Sequence, residues 1–233
     1  MHVIVPLAGP DFVRADGSIK ALELFQGQPL LKYALDSRPW ASKAKSYSFV
    51  LYDCDETRRF AHVHLSQWYR GCSIVYLSAF TRGAAISALA GLSVLHEFRQ
   101  PLIIDLADII YNSNINIGQV LEAEQSIGGI ALVFESHNPQ YSYLACDSNG
   151  QVVEAAEKKV ISDQASAGTY IFRNCATALK AVAHAIENES SQTHNDLFYV
   201  CPLFNGILAQ GKQVALARVF DIMDLKITSI PHG

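Results

Sequence analysis

The first ten residues, MHVIVPLAGP (Met1–Pro10), join an apolar run rich in β-branched residues to a glycine. Val3–Leu7 is typical of a buried strand, because such a strand is apolar on both faces. Gly9 follows, and a residue without a Cβ lets the backbone come close to a ligand. Ligands of open α/β sheets gather beyond the carboxyl ends of the strands. This stretch predicts a first strand that ends at a ligand site, and a purely structural turn is the alternative.

Three more runs of this kind occur in the first half, separated by segments with helical spacing. The predicted strands are Ser48–Tyr52, Ser73–Leu77 and Pro101–Leu106. The predicted helices are Pro29–Ser37, Glu56–Tyr69 and Ala84–Phe98. Strands that alternate with helices predict a mostly parallel sheet with helices on both faces, which is an α/β fold.

The second half is predicted to be richer in strands. These strands are Ile127–Glu135, Ser142–Asp147, Val152–Glu157, Ala167–Arg173 and Gln213–Val219. The predicted helices are Ala176–Glu189 and Leu197–Gln210. The sequence has no internal repeat, low-complexity tract or linker, so residues 1–233 are predicted to form one domain.

Composition and charge exclude several classes of protein. Half of the residues are hydrophobic and 17% are charged, which predicts a folded core. The formal net charge of −4 gives no reason to expect a nucleic acid as partner. Five scattered cysteines without C-x-x-C spacing indicate reduced thiols, as in a cytoplasmic protein. With no basic leader and no long apolar run, we expect neither a signal peptide nor membrane insertion.

Two side chains near predicted strand ends are candidates for phosphate chemistry. Lys20 ends the polar loop after the first strand, where an ammonium group could neutralise a triphosphate. Asp108 lies at the exit of PLIIDLADII, where a carboxylate can hold Mg²⁺, an ion that shares its oxygen ligands with phosphates. Asp105 lies inside the same run and is the weaker metal candidate. The alternatives are a solvated lysine and an acid that caps a turn.

The segment TRGAA, residues Thr81–Ala85, opens the third predicted helix. Gly83 at a helix N-terminus permits close approach by an anion or a base, and Arg82 adds positive charge. A helix start that is simply capped by Thr81 is the alternative.

In chain order, the segments resemble motifs of the sugar-phosphate nucleotidyltransferase family, in particular of its short bacterial members associated with capsule and lipopolysaccharide synthesis. The similar segments are VIVPLAG (3–9), IKAL (19–22), GQPLL (27–31), TRGAA (81–85), PLIIDLAD (101–108), YSYLACDSNGQVVEAAEKKVISDQASAGTYIF (141–172) and FYVCPLFNGILAQGKQV (198–214). They cover nearly the whole chain in the family's order, which is hard to obtain by accident.

The resemblance implies a Rossmann-like fold of the nucleotide-diphospho-sugar transferase type, with a mostly parallel mixed sheet flanked by helices. The implied reaction transfers a nucleotidyl group from a nucleoside triphosphate to a sugar phosphate or similar small phosphate, and releases pyrophosphate. The implied cofactor is Mg²⁺, and a homo-oligomer is left open. The implied catalytic residues are Lys20, Arg14 and Asp108. The implied metal ligands are Asp108 and Asp224, with Asp221 as the alternative second acid.

By the same resemblance, two groups of residues would surround the substrates. The nucleotide would lie against Leu7, Ala8, Gly9, Thr81, Arg82 and Gly83. The acceptor would lie against Glu157, Lys158, Gly168, Tyr199 and Asn205. The identities of the base and of the acceptor are not determined by the sequence.

The chain also departs from the family pattern in its loops. The first loop reads GPDFVR (9–14) and lacks the second glycine of the family motif. Ile19 and Lys159 stand where the family has proline, and KITS (226–229) replaces a late G-T-P. These departures keep a non-catalytic nucleotide-binding relative open. A glycosyltransferase of the related nucleotide-sugar-binding fold is the other alternative, because Asp105-x-x-Asp108 could serve as its metal motif.

Overall fold

The computed structural model describes residues 1–224 of the chain. The strands in this range are β1 His2–Pro6, β2 Leu24–Phe25, β3 Gln28–Pro29, β4 Ser46–Tyr52, β5 Ser73–Leu77, β6 Leu102–Asp105, β7 Ile109–Asn112, β8 Ile127–Glu135, β9 Tyr143–Cys146, β10 Val152–Ala156, β11 Gln164–Phe172, β12 Thr193–His194, β13 Leu197–Phe198, β14 Gln213–Arg218 and β15 Phe220–Asp224. The α-helices are α1 Leu30–Asp36, α2 Asp55–Phe60, α3 Ser66–Trp68, α4 Ala84–Leu92, α5 Ile117–Ala123, α6 Cys175–Glu187, α7 Glu189–Gln192 and α8 Leu203–Ala209. The KITS segment lies outside the described residues.

A large mixed sheet runs through the centre of the described chain. Its order is β10-β9-β11-β6-β1-β4-β5, with β8 paired to β11 and β14 paired to β8. Parallel pairing joins β6, β1, β4 and β5 in turn and also joins β8 to β14. Strand β11 is antiparallel to β6, β8 and β9. The predicted α/β fold with a mixed sheet and flanking helices is confirmed, and its parallel part lies mainly in the first half of the chain.

The central strand β1 is buried on both faces. Val3 and Val5 belong to the hydrophobic cluster on one face of the sheet, and Ile4 belongs to the cluster on the other. Successive side chains of a strand point to opposite faces, so a strand between two helical layers must be apolar throughout. This requirement explains the uninterrupted apolar run at the start of the sequence.

The predicted helix Ala84–Phe98 is shorter in the structure, where α4 ends at Leu92. The hydroxyl of Ser93 donates to the carbonyl of Ala90 at 2.6 Å, a local bond that competes with continued helix. The predicted helix Glu56–Tyr69 is divided into α2, a π-helical segment at Ala61–Leu65, and α3. Among the helices described, none is both long enough and apolar enough to cross a membrane.

The predicted helix Leu197–Gln210 is wrong in its first part. Residues Leu197–Phe198 form β13, which pairs with β12, and α8 begins only at Leu203. Pro202 precedes the helix, and a proline has no N–H with which to continue a helix from Leu197. The apolar residues before the proline therefore belong to a different element.

A buried ion pair joins the end of α1 to β6. Arg38 donates from Nε to Oδ2 of Asp105 at 2.8 Å and from Nη2 to Oδ1 at 3.1 Å. Their side chains are 1% and 0% exposed. Nη2 also donates to the carbonyl of Ile109 at 3.0 Å, and the guanidinium lies 4.0 Å from the ring centroid of Tyr111. Burial is the largest single effect and would lower the pKa of Arg38, but Asp105, Tyr111 and Asp108 together raise it.

Replacing Arg38→Met should lower the free energy of unfolding by about 3–5 kcal/mol, because Asp105 would become a buried carboxylate without its counter-charge. Urea unfolding followed by circular dichroism measures the change. The matched control is Arg58→Met, which removes an exposed bidentate pair with Asp53, at 2.6 and 2.8 Å. Equal losses in the two variants would contradict the structural role of the buried pair.

Candidate active site

A cavity of about 910 Å³ opens beyond the carboxyl ends of β1, β5 and β6. Residues that follow these strands line it together with residues from the second half of the chain. Parallel strands place their carboxyl ends at the same edge of a sheet, so loops far apart in sequence meet there. The cavity is large enough for a nucleotide and a small second substrate.

Most of the predicted site residues line this cavity. They are Leu7, Ala8, Gly9, Lys20, Thr81, Gly83, Asp108, Glu157, Lys158, Gly168, Tyr199 and Asp224. Their assigned roles in binding or catalysis stay predictions, but the structure brings them to one place.

Three other predicted site residues do not line the cavity. Arg14 forms an ion pair with Glu23. Arg82 donates to Glu189 at 2.6 Å and to a backbone carbonyl at 3.0 and 3.1 Å, which holds its guanidinium at the surface. The amide of Asn205 accepts from the N–H of Ala155 and donates to its carbonyl, both at 2.8 Å, so it joins α8 to β10.

The loop between Gly9 and Lys20 is held by its own hydrogen bonds. The N–H of Phe12 donates to the carbonyl of Gly9, and the N–H of Lys20 donates to the carbonyl of Phe12, both at 3.2 Å. The ring of Phe12 is buried and packs edge-on against Phe60, with centroids 5.5 Å apart. This anchor holds the backbone of Lys20 beside the cavity although the loop lacks the second glycine of the family motif.

Asp108 is placed by a strained turn after β6. Ala107 has a φ of +54°, and its N–H donates to Oδ1 of Asp105 at 2.9 Å. Leu106 donates its N–H to the carbonyl of Gly168 at 3.0 Å. Gly168 has a φ of +73°, and a Cβ on it would lie 2.8 Å from Oδ1 of Asp108. Position 168 requires glycine both for its backbone conformation and for the space beside Asp108.

Asp224 reaches the cavity because β15 pairs with β7. In this pair Asp224 lies opposite Ile109, the residue that follows Asp108. The hydroxyl of Tyr141 donates to Asp224, and burial together with this bond raises the pKa of Tyr141. Two carboxylates from distant parts of the chain are thus brought to neighbouring positions in the wall.

These two carboxylates fit a divalent cation of the magnesium type. Residues 1–224 contain no group of three or more His, Cys, Asp or Glu side chains that could hold a metal. Mg²⁺ does not need such a group, because it is commonly held by one or two carboxylates and completed by water and phosphate oxygens. Asp108 and Asp224 line the cavity and are neighbours through the pairing of β15 with β7, so they could hold such an ion.

Another part of the cavity wall carries Glu157 and Lys158. The hydroxyl of Ser142 donates to the carboxylate of Glu157. Lys158 has a φ of +50°, and its Nζ lies 5.3 Å from the ring centroid of Tyr199. Burial raises the pKa of the neighbouring Tyr170 well above its ordinary value, so its hydroxyl stays protonated. This part of the cavity wall offers a carboxylate, an ammonium group and hydroxyls to a small polar ligand.

The start of α4 is hydrogen-bonded to β13. The N–H of Phe198 donates to the carbonyl of Arg82 at 2.8 Å. Gly83 has a φ of +100°, and a Cβ on it would lie 2.4 Å from the carbonyl oxygen of Phe198. Thr81 donates to the carbonyl of Gly83 at 3.1 Å and shares a 2.6 Å hydrogen bond with Ser87. Gly83 is the N-cap of α4 and no side chain caps the helix start, so the alternative of a cap by Thr81 is wrong. The close approach seen at Gly83 is to the protein's own backbone, and an approach by an anion or a base stays a prediction.

Several lining residues were missed by the sequence analysis. They are Asp11, Phe80, Ser87, Tyr141, Ser142 and Ser166. An aromatic residue directly before TRGAA was an available signal for Phe80. A serine within a strand carries no such signal, because serine is common on any polar surface.

Comparisons with known proteins concern the fold of the chain. No family model and no curated protein matches the chain. Among solved structures, the nucleoside-diphosphate-sugar pyrophosphorylase from Vibrio cholerae RC9 matches with a TM-score of 0.82 and 21% identity, over 97% of this chain and 95% of that one. The chain shares the fold of this pyrophosphorylase.

Two further structures match with lower scores. A UDP-glucose pyrophosphorylase complexed with UDP-glucose has a TM-score of 0.68 and 15% identity, over 96% of this chain and 92% of that one. The inositol-1-phosphate CTP transferase from T. maritima has a TM-score of 0.65 and 13% identity, over 96% and 88%. At such identities the similarity establishes the fold and not the activity.

Replacing Gly168→Ala should destabilise the protein more than Gly150→Ala. Gly150 has a φ of +79°, and no atom lies within 4 Å of an added Cβ. The loss of stability in its variant therefore measures only the cost of a left-handed backbone at alanine, about 1–2 kcal/mol. The additional loss of stability in Gly168→Ala measures the contact of the added methyl group with Asp108. Free energies of unfolding in urea measure both changes, and indistinguishable values would show that the turn accommodates the methyl group.

Proposed function

We propose that the protein is a nucleotidyltransferase that transfers a nucleotidyl group from a nucleoside triphosphate to a sugar phosphate or similar small phosphate and releases pyrophosphate. The observation that supports this most directly is the convergence of Lys20, Asp108 and Asp224 on one cavity at the carboxyl ends of the sheet. The structures that share the fold bear the names of pyrophosphorylases and of a CTP transferase.

The charge of the cavity wall supports a metal-dependent reaction. The ionisable side chains that contribute to it are Asp11, Lys20, Asp108, Glu157, Lys158 and Asp224, together with three tyrosines. Four carboxylates against two ammonium groups leave the wall negatively charged, which is unfavourable for a triphosphate alone. A divalent cation on Asp108 and Asp224 would reverse this imbalance where the phosphates bind, so we include Mg²⁺ in the proposal.

The reaction forms a bond between an oxygen of the acceptor phosphate and the α-phosphorus, and it breaks the bond to the bridging oxygen of the departing pyrophosphate. Bound Mg²⁺ would supply charge neutralisation for the phosphates. Lys20 would stabilise the negative charge that spreads over the transferring group. The acceptor phosphate is already an anionic nucleophile, so the protein mainly has to position the two substrates.

The part of the wall with Glu157 and Lys158 is suited to the acceptor. Lys158 would bind its phosphate, and Glu157 would accept hydrogen bonds from its hydroxyl groups while Ser142 holds the carboxylate in place. The backbone of Leu7–Gly9 and the segment Thr81–Gly83 would bind the nucleotide. The proposal extends to a cytoplasmic role in surface polysaccharide synthesis, which rests on the resemblance to the short bacterial family members.

Pyrophosphate release should be observed with at least one of ATP, CTP, GTP and UTP, in the presence of Mg²⁺ and pooled sugar phosphates. Lys20→Ala should lower the rate by about 10²–10³-fold, the range for loss of one preorganised charge donor. The matched control is Lys43→Ala, an exposed lysine that does not line the cavity. Thermal stabilisation by nucleotide sugars alone would favour the glycosyltransferase, and triphosphate binding without release on a wide acceptor panel would favour a non-catalytic relative.

Asp108→Asn and Asp224→Asn should each weaken Mn²⁺ binding in the presence of a non-cleavable triphosphate analogue. A loss of about tenfold or more is expected, the range found when even an outer partner of a metal ligand is removed. Electron paramagnetic resonance titration measures the free Mn²⁺. Asp221→Asn is the control, because Asp221 lies outside the cavity wall and accepts from Asn112 at 2.9 Å. Unchanged affinity in both site variants would remove the metal from the proposal.

A further inference from the structure

Phe80 is an exposed aromatic residue in the wall of the cavity. Its surface is 55% accessible, although a phenylalanine gains stability when it is buried. Among the exposed phenylalanines in residues 1–224, which are Phe80, Phe98 and Phe220, only Phe80 lines the cavity. An apolar ring kept open at this place indicates a surface that a ligand covers.

The ring of Phe80 is held by a stacked contact. It lies nearly parallel to the ring of Tyr52, with centroids 4.3 Å apart and an interplanar angle of 15°. Tyr52 is the last residue of β4, and the N–H of Asp53 donates to the carbonyl of Leu77 at 2.9 Å. Tyr52 is thus fixed in the sheet and covers one face of the Phe80 ring, so a ligand would meet a ring that is already ordered.

The aromatic pair stands between the two segments proposed to bind the nucleotide. The N–H of Leu7 donates to the carbonyl of Val50 at 2.8 Å, which places the exit of β1 beside the last residues of β4. Phe80 directly precedes Thr81–Gly83 at the start of α4. The planar part of a nucleotide bound along these segments would be next to the ring.

We propose that Phe80 is a stacking residue for the nucleobase of the triphosphate and that Tyr52 is its positioning residue. This inference rests on the proposed function, because it assigns a contact within the same site. Every nucleobase has a π-face, so stacking contributes affinity without selecting the base. Selection among bases is then left to the neighbouring backbone groups.

The test compares ligands with and without a base. Dissociation constants for ATP, CTP, GTP and UTP, and for inorganic tripolyphosphate, are measured by calorimetry with Mg²⁺. For the triphosphates that the wild type binds, Phe80→Ala should weaken binding by about ten- to a hundredfold, the range for one base–aromatic stack, and should leave tripolyphosphate unchanged. Phe80→Tyr should retain the affinity. Phe98→Ala is the matched control, because Phe98 is 53% exposed and does not line the cavity.

A second measurement keeps the result independent of folding defects. Phe80→Trp adds an indole at the site to the two native tryptophans, and nucleoside triphosphates, but not tripolyphosphate, should quench its emission. Tyr52→Ala should raise the KM for the triphosphate with kcat unchanged. Tyr52→Phe keeps the stacked ring and should have the KM of the wild type.

Two outcomes would overturn the inference: equal loss of triphosphate and tripolyphosphate affinity in Phe80→Ala, or no difference from Phe98→Ala. A wild type that binds no triphosphate would overturn both the inference and the proposed function. Base-dependent binding without pyrophosphate release would support the stacking role while rejecting the transfer reaction, so the two failures are distinguishable.

Discussion

The buried ion pair between Arg38 and Asp105 is the contact on which the geometry of the site depends. Asp105 ends β6, and the same carboxylate that receives the guanidinium also accepts the N–H of Ala107. Ala107 holds a left-handed conformation that costs about 1–3 kcal/mol and persists only where its surroundings determine it. The pair therefore does more than link α1 to the sheet: it maintains the strained turn that presents Asp108 to the cavity.

The cavity is assembled from segments that are distant in sequence and joined by close backbone contacts. Gly168 leaves room for Asp108, and Gly83 lets the start of α4 meet the carbonyl of Phe198. The pairing of β15 with β7 adds Asp224. Each contact positions one polar group without substrate, which is the preorganisation that a transfer reaction driven by positioning and charge requires.

Much of the fold could be predicted because its signals are local. Ser73–Leu77 and Ile127–Glu135 were predicted with the bounds that the structure has, since an apolar β-rich run between polar turns identifies a buried strand. The first part of the helix predicted at Leu197–Gln210 was wrong because an apolar run does not distinguish a short strand from a helix. Strands β7 and β15 were missed because each is short and is stabilised by pairing with a partner more than a hundred residues away.

The sequence by itself determined the α/β class, the main strands of the sheet and the candidates Lys20 and Asp108, because hydrophobic period and turn residues act over a few neighbouring positions. Only the tertiary structure decided which polar side chains share the cavity. It separates Arg14 and Arg82, held by Glu23 and Glu189, from Lys20. It also places Asp224 beside Asp108 and leaves Phe80 exposed in the cavity wall. Spacing along the chain does not specify the direction of a side chain or its distant partner, since both follow from packing.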